Sequence, residues 1–400
     1  MKISIYRIVC LFVLVSPIKV SSQIPEELDS YLEHIFQNHV IPGFSVVVVK
    51  NDRIIYKRAF GKERLDKNKP FHTTTVSAIG SLTKSITAIA VMQLVEKGIL
   101  SLDEPVVKYL PEFRTANKIM SDKVTVRMLL NNTAGLNADP PATMERSSIA
   151  LAHLNTSLNK TFLTQEPGIS YKYSNTDFSI AGLVINRVTG LSFEDYVSKN
   201  IYAPLKMTNS ILGVDGHKKQ NLLRGHYFGR QPLPANNAPF AISGEYVPAG
   251  SLAYATIEDL AHYLIALLNN GKFRERKILT KESVEQLFTP NISFPGLSKN
   301  DGGDGQIYRY GLGWMISNID GREVIHHGGS TGTMSSFTML DRKNKTATSL
   351  LFNLDLTFID THKYIPHYSI ANNLLHIVNG EKPSSYGIIL DCRQRKEEGT

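Results

Sequence analysis

The sequence predicts an α+β fold: one antiparallel sheet assembled from both ends of the chain, flanked by helices, with a mostly helical domain inserted between its two parts. Three observations carry this reading. Residues 43–61 read as a β-hairpin, with an apolar run from Phe44 to Val49, a turn at Asn51-Asp52 and a return from Ile54 to Phe60. Further strand-like runs crowd the end of the chain: Tyr310 to Ile316, Glu323 to His326, Ser335 to Leu340 and Thr346 to Leu351, with Arg342 to Lys345 turning between the last two. From about 102 to 245 strand signals are scarce, and helical stretches alternate with Pro, Asn and Gly loops.

Taken in order, the first 22 residues read as a secretory leader. Lys2 and Arg7 supply a positive start, Ile8 to Val15 a short apolar run, and Ser21-Ser22 small residues for cleavage before Gln23. The alternative, a signal anchor, is interrupted by Pro17 and Lys19. Glu26 to Asn38 has helical spacing, with Leu28, Tyr31, Leu32, Ile35 and Phe36 on one stripe. Ile86 to Val95 is apolar on most sides, the mark of a buried helix, and Gly98 ends it. Val126 to Leu130, Phe178 to Val188 and Phe193 to Ile201 read as helices of the insertion. Ile257 to Leu268 is amphipathic, with Asp259 near its start, and Tyr368 to Val378 closes the fold. These elements divide the chain into a sheet domain, 23–105 with 246–380, an inserted domain, 106–245, and a polar tail, 381–400.

Composition excludes several classes. Hydrophobic residues make up 42% and charged residues 20%, which rules out wholesale disorder, collagen and coiled coil. After the leader no apolar run approaches the roughly 18–20 residues of a spanning helix, so no integral membrane span is expected in the mature chain. The net charge of +8 falls to +5 when Lys2, Arg7 and Lys19 leave with the leader. The remaining basic residues are scattered, densest at Lys218-Lys219 and from Arg393 to Lys396, so no nucleic-acid face is expected. Cys10 lies in the leader, leaving Cys392 alone, with no intramolecular disulfide and no cysteine nucleophile in view.

Three short segments carry chemistry. In Ser81-Leu82-Thr83-Lys84 the two polar ends are one helical turn apart and share a face. A lysine at the edge of an apolar helix is desolvated, which favours its neutral form, able to take the serine's proton. Ser81 also sits where the free N–H groups of a helix start could stabilise an oxyanion. Alone, the same pattern describes a capping serine and a lysine reaching for water. The second segment, Tyr173-Ser174-Asn175, offers a phenol to shuttle protons and an amide to hold the lysine or substrate. Alone, it is a loop tyrosine with Asn175 as a helix cap. The third, His326-His327-Gly328-Gly329-Ser330, ends a strand whose open edge could pair with a peptide. Adjacent histidines point to opposite faces, so only one faces a site. A turn with a core-packed histidine is the plain alternative. The Asp301–Gly305 loop lacks the carboxylate spacing of a calcium site.

In this order the three segments resemble the serine β-lactamase and penicillin-binding-protein superfamily, whose members carry S-x-x-K, S-x-N or Y-x-N, and K-T-G. The Y-x-N form is similar to the branch holding class C β-lactamases, D-alanyl-D-alanine carboxypeptidases, D-amino-acid peptidases and esterases. Phe44 to Gly61, Val95 to Phe113, Val124 to Leu136, Pro167 to Gly190, Pro248 to Leu264 and Tyr310 to Trp314 extend the resemblance over roughly residues 25 to 378. The resemblance implies a β-lactamase/transpeptidase-like fold and a serine hydrolase, which the leader marks as secreted or periplasmic. Its substrate would be a small peptide, ester or β-lactam, with no cofactor and no metal. It implies Ser81 as the acylated nucleophile, Lys84 as its activator, Tyr173 as the proton relay and Asn175 as the group holding Lys84 and the substrate amide. It also aligns Lys-Thr-Gly with His326, His327 and Gly328, because Gly332 then meets a glycine common in the family. The oxyanion would lie between the N–H groups of Ser81 and Gly329. A shift by one, with His327 facing the site, is the alternative register.

The departures from the pattern bear on substrate. A histidine in place of the first lysine looks more like peptidases and esterases than β-lactamases, since a neutral imidazole binds a carboxylate less strongly than an ammonium. Asn132-Thr133-Ala134-Gly135 replaces a commoner His-Thr-Ser-Gly and reads as structural, and Thr333 stands where the family often has Phe. Within the class, β-lactamase activity is the runner-up. Outside it, the rival is a non-catalytic penicillin-recognising relative. The sequons at Asn131, Asn155, Asn159, Asn291 and Asn344 matter only in a glycosylating host.

Overall fold

The computed structural model describes residues 23–136, 158–213, 222–223, 225–227, 233–234, 244–250, 252–296, 307–356 and 367–383. The leader, the 301–305 loop, both basic clusters, both cysteines, Asn155 and the tail beyond 383 lie outside the described residues.

Strands β1 (Gly43–Lys50), β2 (Arg53–Arg64) and β3 (Lys69–Pro70) open the fold. A meander follows near the other end: β4 (Ile292–Pro295), β5 (Ile307–Tyr310), β6 (Met315–Ile319), β7 (Arg322–Ser330), β8 (Ser335–Asp341) and β9 (Thr346–Phe352). Among the described residues these form one sheet in the order β4-β5-β6-β7-β8-β9-β1-β2-β3. Every neighbouring pair is antiparallel. The two ends of the chain meet at β1 and β9, where Phe44 lies opposite Phe352 and Lys50 opposite Thr346. Phe44 stacks on Phe60 at 4.7 Å and on Phe352 at 5.4 Å between ring centroids, contacts each worth about 0.5–1.5 kcal/mol beyond their area.

The run expected as one strand from Tyr310 to Ile316 is two strands. Gly313, at φ +74°, turns the chain, its N–H donates to Leu130 O at 2.9 Å, and Gly311 N–H donates to Trp314 O at 2.9 Å. A side chain on Gly313 would place its Cβ 2.8 Å from the carbonyl oxygen of Lys84, so the break is a packing contact against the buried helix.

The helices that frame the sheet and the site are α1 (Gln23–Asn38), α2 (Thr83–Glu96), α3 (Val126–Leu130), α4 (Asn175–Thr189), α5 (Ile257–Leu268), α6 (Lys281–Phe288) and α7 (His367–Asn379). The hydroxyls of Thr125, Ser174, Thr256 and Thr280 cap α3, α4, α5 and α6, each worth about 1 kcal/mol. The helix expected from Phe193 to Ile201 is a short α-helix, Phe193–Val197, continued by a wider turn through Tyr202 and a last turn at Ala203–Leu205, where Pro204 supplies no N–H.

Successive side chains of β1 alternate between two cores. Val47 and Val49 face α2, α4 and α5, while Phe44, Val46 and Val48 face α1 and α7. Being buried on both sides is what makes β1 a continuous apolar run. Every residue of α2 from Thr83 to Leu94 is buried, polar ones included. The sole tryptophan, Trp314, is fully buried between Tyr263 and Phe288.

Helix α4 packs closely on the 3₁₀ turn Gly244–Ala249 because Gly182 has no side chain: a Cβ there would lie 2.2 Å from Pro248 Cγ. Gly182→Ala is therefore expected to lower stability by about 1–3 kcal/mol through overpacking, despite alanine's better helix propensity. The urea midpoint of the variant measures this, and an unchanged midpoint would mean that the two elements slide apart freely.

Candidate active site

The site is assembled where α2 starts under the end of β7. Ser81 lies in a 3₁₀ turn, Gly80–Leu82, that runs straight into α2. Gly80 adopts φ +51°, and a Cβ on it would lie 2.7 Å from Ser330 N and 2.9 Å from Ser330 O. From the other side Gly250, at φ +124°, abuts the same peptide: its Cβ would lie 2.4 Å from Gly80 C and 2.7 Å from Ser81 N. Only glycine satisfies both the backbone angle and the space.

One turn on, Lys84 has no exposed surface. Its Nζ donates to Asn175 Oδ1 at 2.7 Å, to the Ala249 carbonyl at 2.7 Å and to Ser81 Oγ at 3.1 Å. It also lies 4.6 Å from the centre of the Tyr173 ring and 5.6 Å from that of Phe178. With two hydrogens committed to Asn175 and Ala249, a neutral amine at this position directs its lone pair at Ser81 Oγ. Tyr173 donates its hydroxyl to the same Oγ at 2.6 Å. The serine oxygen thus sits between two groups able to carry its proton.

Tyr173 and Asn175 are held by a residue that the sequence reading treated only as structural. Asn132, in the left-handed region at φ +57°, accepts the Ser174 N–H on Oδ1 at 3.1 Å and the Lys172 N–H on its carbonyl at 2.9 Å. The segment carrying Tyr173 is thereby pinned on both sides, and Ser174 then caps α4 so that Asn175 becomes its first residue. Asp177, in that first turn, is fully buried, and desolvation pushes its carboxyl well above the usual range despite the nearby Ser174 and Lys84. The positive φ at Asn132, a non-glycine residue, is not announced by the sequence.

The third segment departs from the first-choice register. His326 faces away from Ser81, toward α7: its Nε2 is 2.8 Å from the Ser317 hydroxyl, and its ring stacks on Phe337 at 5.6 Å. Phe337 in turn packs against His367. His327 is the histidine on the α2 face. Its Nδ1 donates to Gly328 O at 2.7 Å, which leaves Nε2 to accept the Tyr310 hydroxyl at 3.1 Å. Burial holds this imidazole down at about 3, so it is neutral. The glycine that suggested the other register, Gly332, has a local reason to be glycine: it turns the chain at φ +80° between β7 and β8.

The Gly329 N–H, expected to face the serine, turns the other way. Pairing of β6 with β7 stops at Met315 and His326, whereas β7 stays paired with β8 as far as Ser330 and Ser335. Beyond His326 one edge of β7 is therefore open toward the Ser81 turn. Ser330 N and O both face Gly80 across that gap, so in an antiparallel ladder the N–H of Gly329 turns toward β8 instead. Gly329 matters sterically: a Cβ on it would lie 1.9 Å from Ile79 O. The N–H of β7 that faces the Gly80 turn leading into Ser81 is that of Ser330.

Comparison with known proteins follows the same lines. The family model described as Beta-lactamase matches residues 28–364. Protein flp of Staphylococcus aureus is 26% identical over 373 residues, covering 92% of this chain and 69% of its own length. A penicillin-binding protein of Bacillus subtilis is 25% identical over 329 residues, covering 77% of this chain and 67% of its own. Among solved structures, the octameric penicillin-binding protein homologue from Pyrococcus abyssi superposes with a TM-score of 0.74 at 26% identity, over 92% of this chain and 80% of that one. A class C β-lactamase mutant gives 0.72 at 20% identity, over 88% and 97%, a likeness of fold alone. No helix among the described residues is long and apolar enough to cross a membrane.

The buried histidines set a pH dependence. Burial holds His326 and His367 down at about 4 and His327 at about 3, against about 6.5 in an unfolded chain. Between those values the unfolded state binds protons that the folded state refuses. Their contribution to stability is complete above about 6.5 and lost as the pH falls toward 4. Asp177 and Asp259 act in the opposite sense, since burial raises both carboxyls, while His226, also buried and held down, adds to the three histidines. The urea midpoint is expected to drop steadily from pH 7 to pH 5, and His326→Gln to flatten the slope. A midpoint constant over that range would contradict the burial argument.

Proposed function

Because this chain belongs to the β-lactamase family, we propose that it is an exported serine hydrolase that opens amide or ester bonds by acyl transfer through Ser81. The observation that carries the reading is the convergence of Lys84 Nζ, at 3.1 Å, and the Tyr173 hydroxyl, at 2.6 Å, on one serine oxygen beside the N–H groups of Ser81 and Ser330. Oγ bonds to the substrate carbonyl carbon as its proton passes to neutral Lys84, and the carbonyl electrons move to an oxygen held by the two N–H groups. When the tetrahedral adduct collapses, the bond to the leaving nitrogen or oxygen breaks. That atom takes a proton through Tyr173, with Lys84 as its source. Water then attacks the acyl ester by the same route in reverse, releasing the acid and restoring Ser81. Asn175 keeps Lys84 in place and offers its amide to the substrate. The export half of the proposal rests on Lys2, Arg7 and the apolar run that follows them.

The wall opposite Ser81 favours uncharged acyl groups. His327 is neutral and already engaged with Tyr310 and Gly328, so it gives a carboxylate far less than an ammonium would. Small acyl esters and D-amino-acid peptides without a free carboxylate at that position are the leading substrates, ahead of penicillins. The open edge of β7 supports a peptide-like substrate, whose backbone could pair with it.

The first test is the intact mass of the protein after a fluorophosphonate, beside Ser81→Ala. One adduct on the wild type and none on the variant is expected, followed by faster turnover of neutral p-nitrophenyl esters than of benzylpenicillin. A well-folded wild type that takes no label would leave a binding-only relative as the better reading. The relay is tested separately: Tyr173→Phe is expected to lower kcat by about 10²–10⁴-fold, and a near-wild-type rate would remove the phenol from proton transfer.

A further inference from the structure

The proposed chemistry requires the Ser330 N–H to stay beside Ser81, although β6 gives that part of β7 no support. Support comes instead from a buried carboxylate far along the chain. Asp355, only 3% exposed, lies just past the end of β9. Its Oδ2 accepts the Ser330 hydroxyl and, at 2.6 Å, the N–H of Gly332. The acceptor is itself braced: Ser335, the first residue of β8, donates its hydroxyl to Leu354 O at 3.0 Å and accepts the Leu356 N–H at 3.4 Å. The turn between the strands is closed by Thr331 N–H on Met334 O at 3.0 Å and Met334 N–H on the Thr331 hydroxyl at 3.2 Å. A carboxylate is costly to bury unless donors satisfy it, and here its donors are the last residue of β7 and the turn glycine that follows.

We infer that Asp355 is a positioning residue for the reaction, clamping the end of β7 so that the Ser330 N–H remains opposite Ser81 as the second oxyanion donor. The inference rests on the acyl-transfer reading above. Asp355 touches neither the reacting atoms nor Ser81. It acts through Ser330 and Gly332, and both hydrogen bonds end on one oxygen, which an asparagine carbonyl oxygen can reproduce.

The test compares wild type, Asp355→Ala, Asp355→Asn and Ser330→Ala on a p-nitrophenyl ester, with kcat expressed per Ser81 titrated by fluorophosphonate and with affinity for an arylboronic acid measured alongside. Removing an oxyanion donor costs about 10²–10³-fold in kcat, so Asp355→Ala is expected to lose that much, with KM little changed and boronate affinity falling in parallel. Asp355→Asn is expected to stay within about tenfold of wild type, and Ser330→Ala, which breaks one of the two clamps, to lose about tenfold. A purely structural role would lower the titrated fraction and the melting temperature but leave kcat per site intact, and that result overturns the inference. Equal losses in the Ala and Asn variants would assign the effect to charge and overturn it too. If Asp355→Ala fails to fold, Ser330→Ala decides: unchanged kcat and boronate affinity overturn the clamp. An inert, unlabelled wild type instead defeats the hydrolase reading itself, a distinguishable outcome.

Discussion

The structure around the site depends on one constraint: an amine with no exposed surface has to be given acceptors. Lys84 is placed by a helix buried along nearly its whole length, so no water relieves it. Its acceptors come from three separate places: Ser81 one turn earlier, Asn175 at the start of α4, and a backbone carbonyl at Ala249. Each must arrive within hydrogen-bond distance, and that requirement sets how α4 and the 244–249 turn dock on α2. The close approaches at Gly80, Gly182 and Gly250 are the packing side of the same demand. The catalytic potential follows because Ser81 is an acceptor the lysine shares with Tyr173.

A second constraint is the open edge of β7. The sheet withdraws β6 after His326, and the vacated edge meets the turn that carries Ser81. Among the described residues that edge presents His327 with its tyrosine partner, and glycine backbone. Asn132, with its left-handed backbone, spends local strain to hold the Tyr173 segment between two hydrogen bonds.

The elements were legible to the extent that their signals are local. The 43–61 hairpin, the buried helix after Ser81, the amphipathic α5 and the β8–β9 hairpin each follow from patterning within about a dozen residues. Where a contact from elsewhere intervened, the reading failed. Tyr310 to Ile316 looks continuous in sequence, but Gly313 has to turn so that the chain can pass the Lys84 carbonyl. Asn132 reads as structural, but nothing in its own neighbourhood announces the two N–H groups that reach it from about 40 residues away.

By itself, the sequence determined that Ser81 and Lys84 share a face, because three residues make one helical turn whatever surrounds them. It also determined the 43–61 hairpin, the buried helix after Ser81 and the closing helix as elements. Tertiary structure alone decided that His327, not His326, faces the serine, and that Ser330 rather than Gly329 presents its N–H. In a strand both choices reverse with a shift of one residue, and that register is set by the partner strand and by the turn glycine Gly332, not by the residues themselves. The same holds for the Ala249 carbonyl and the Asp355 clamp: a backbone oxygen and a distant carboxylate become part of the site only when the two ends of the chain close the sheet between them.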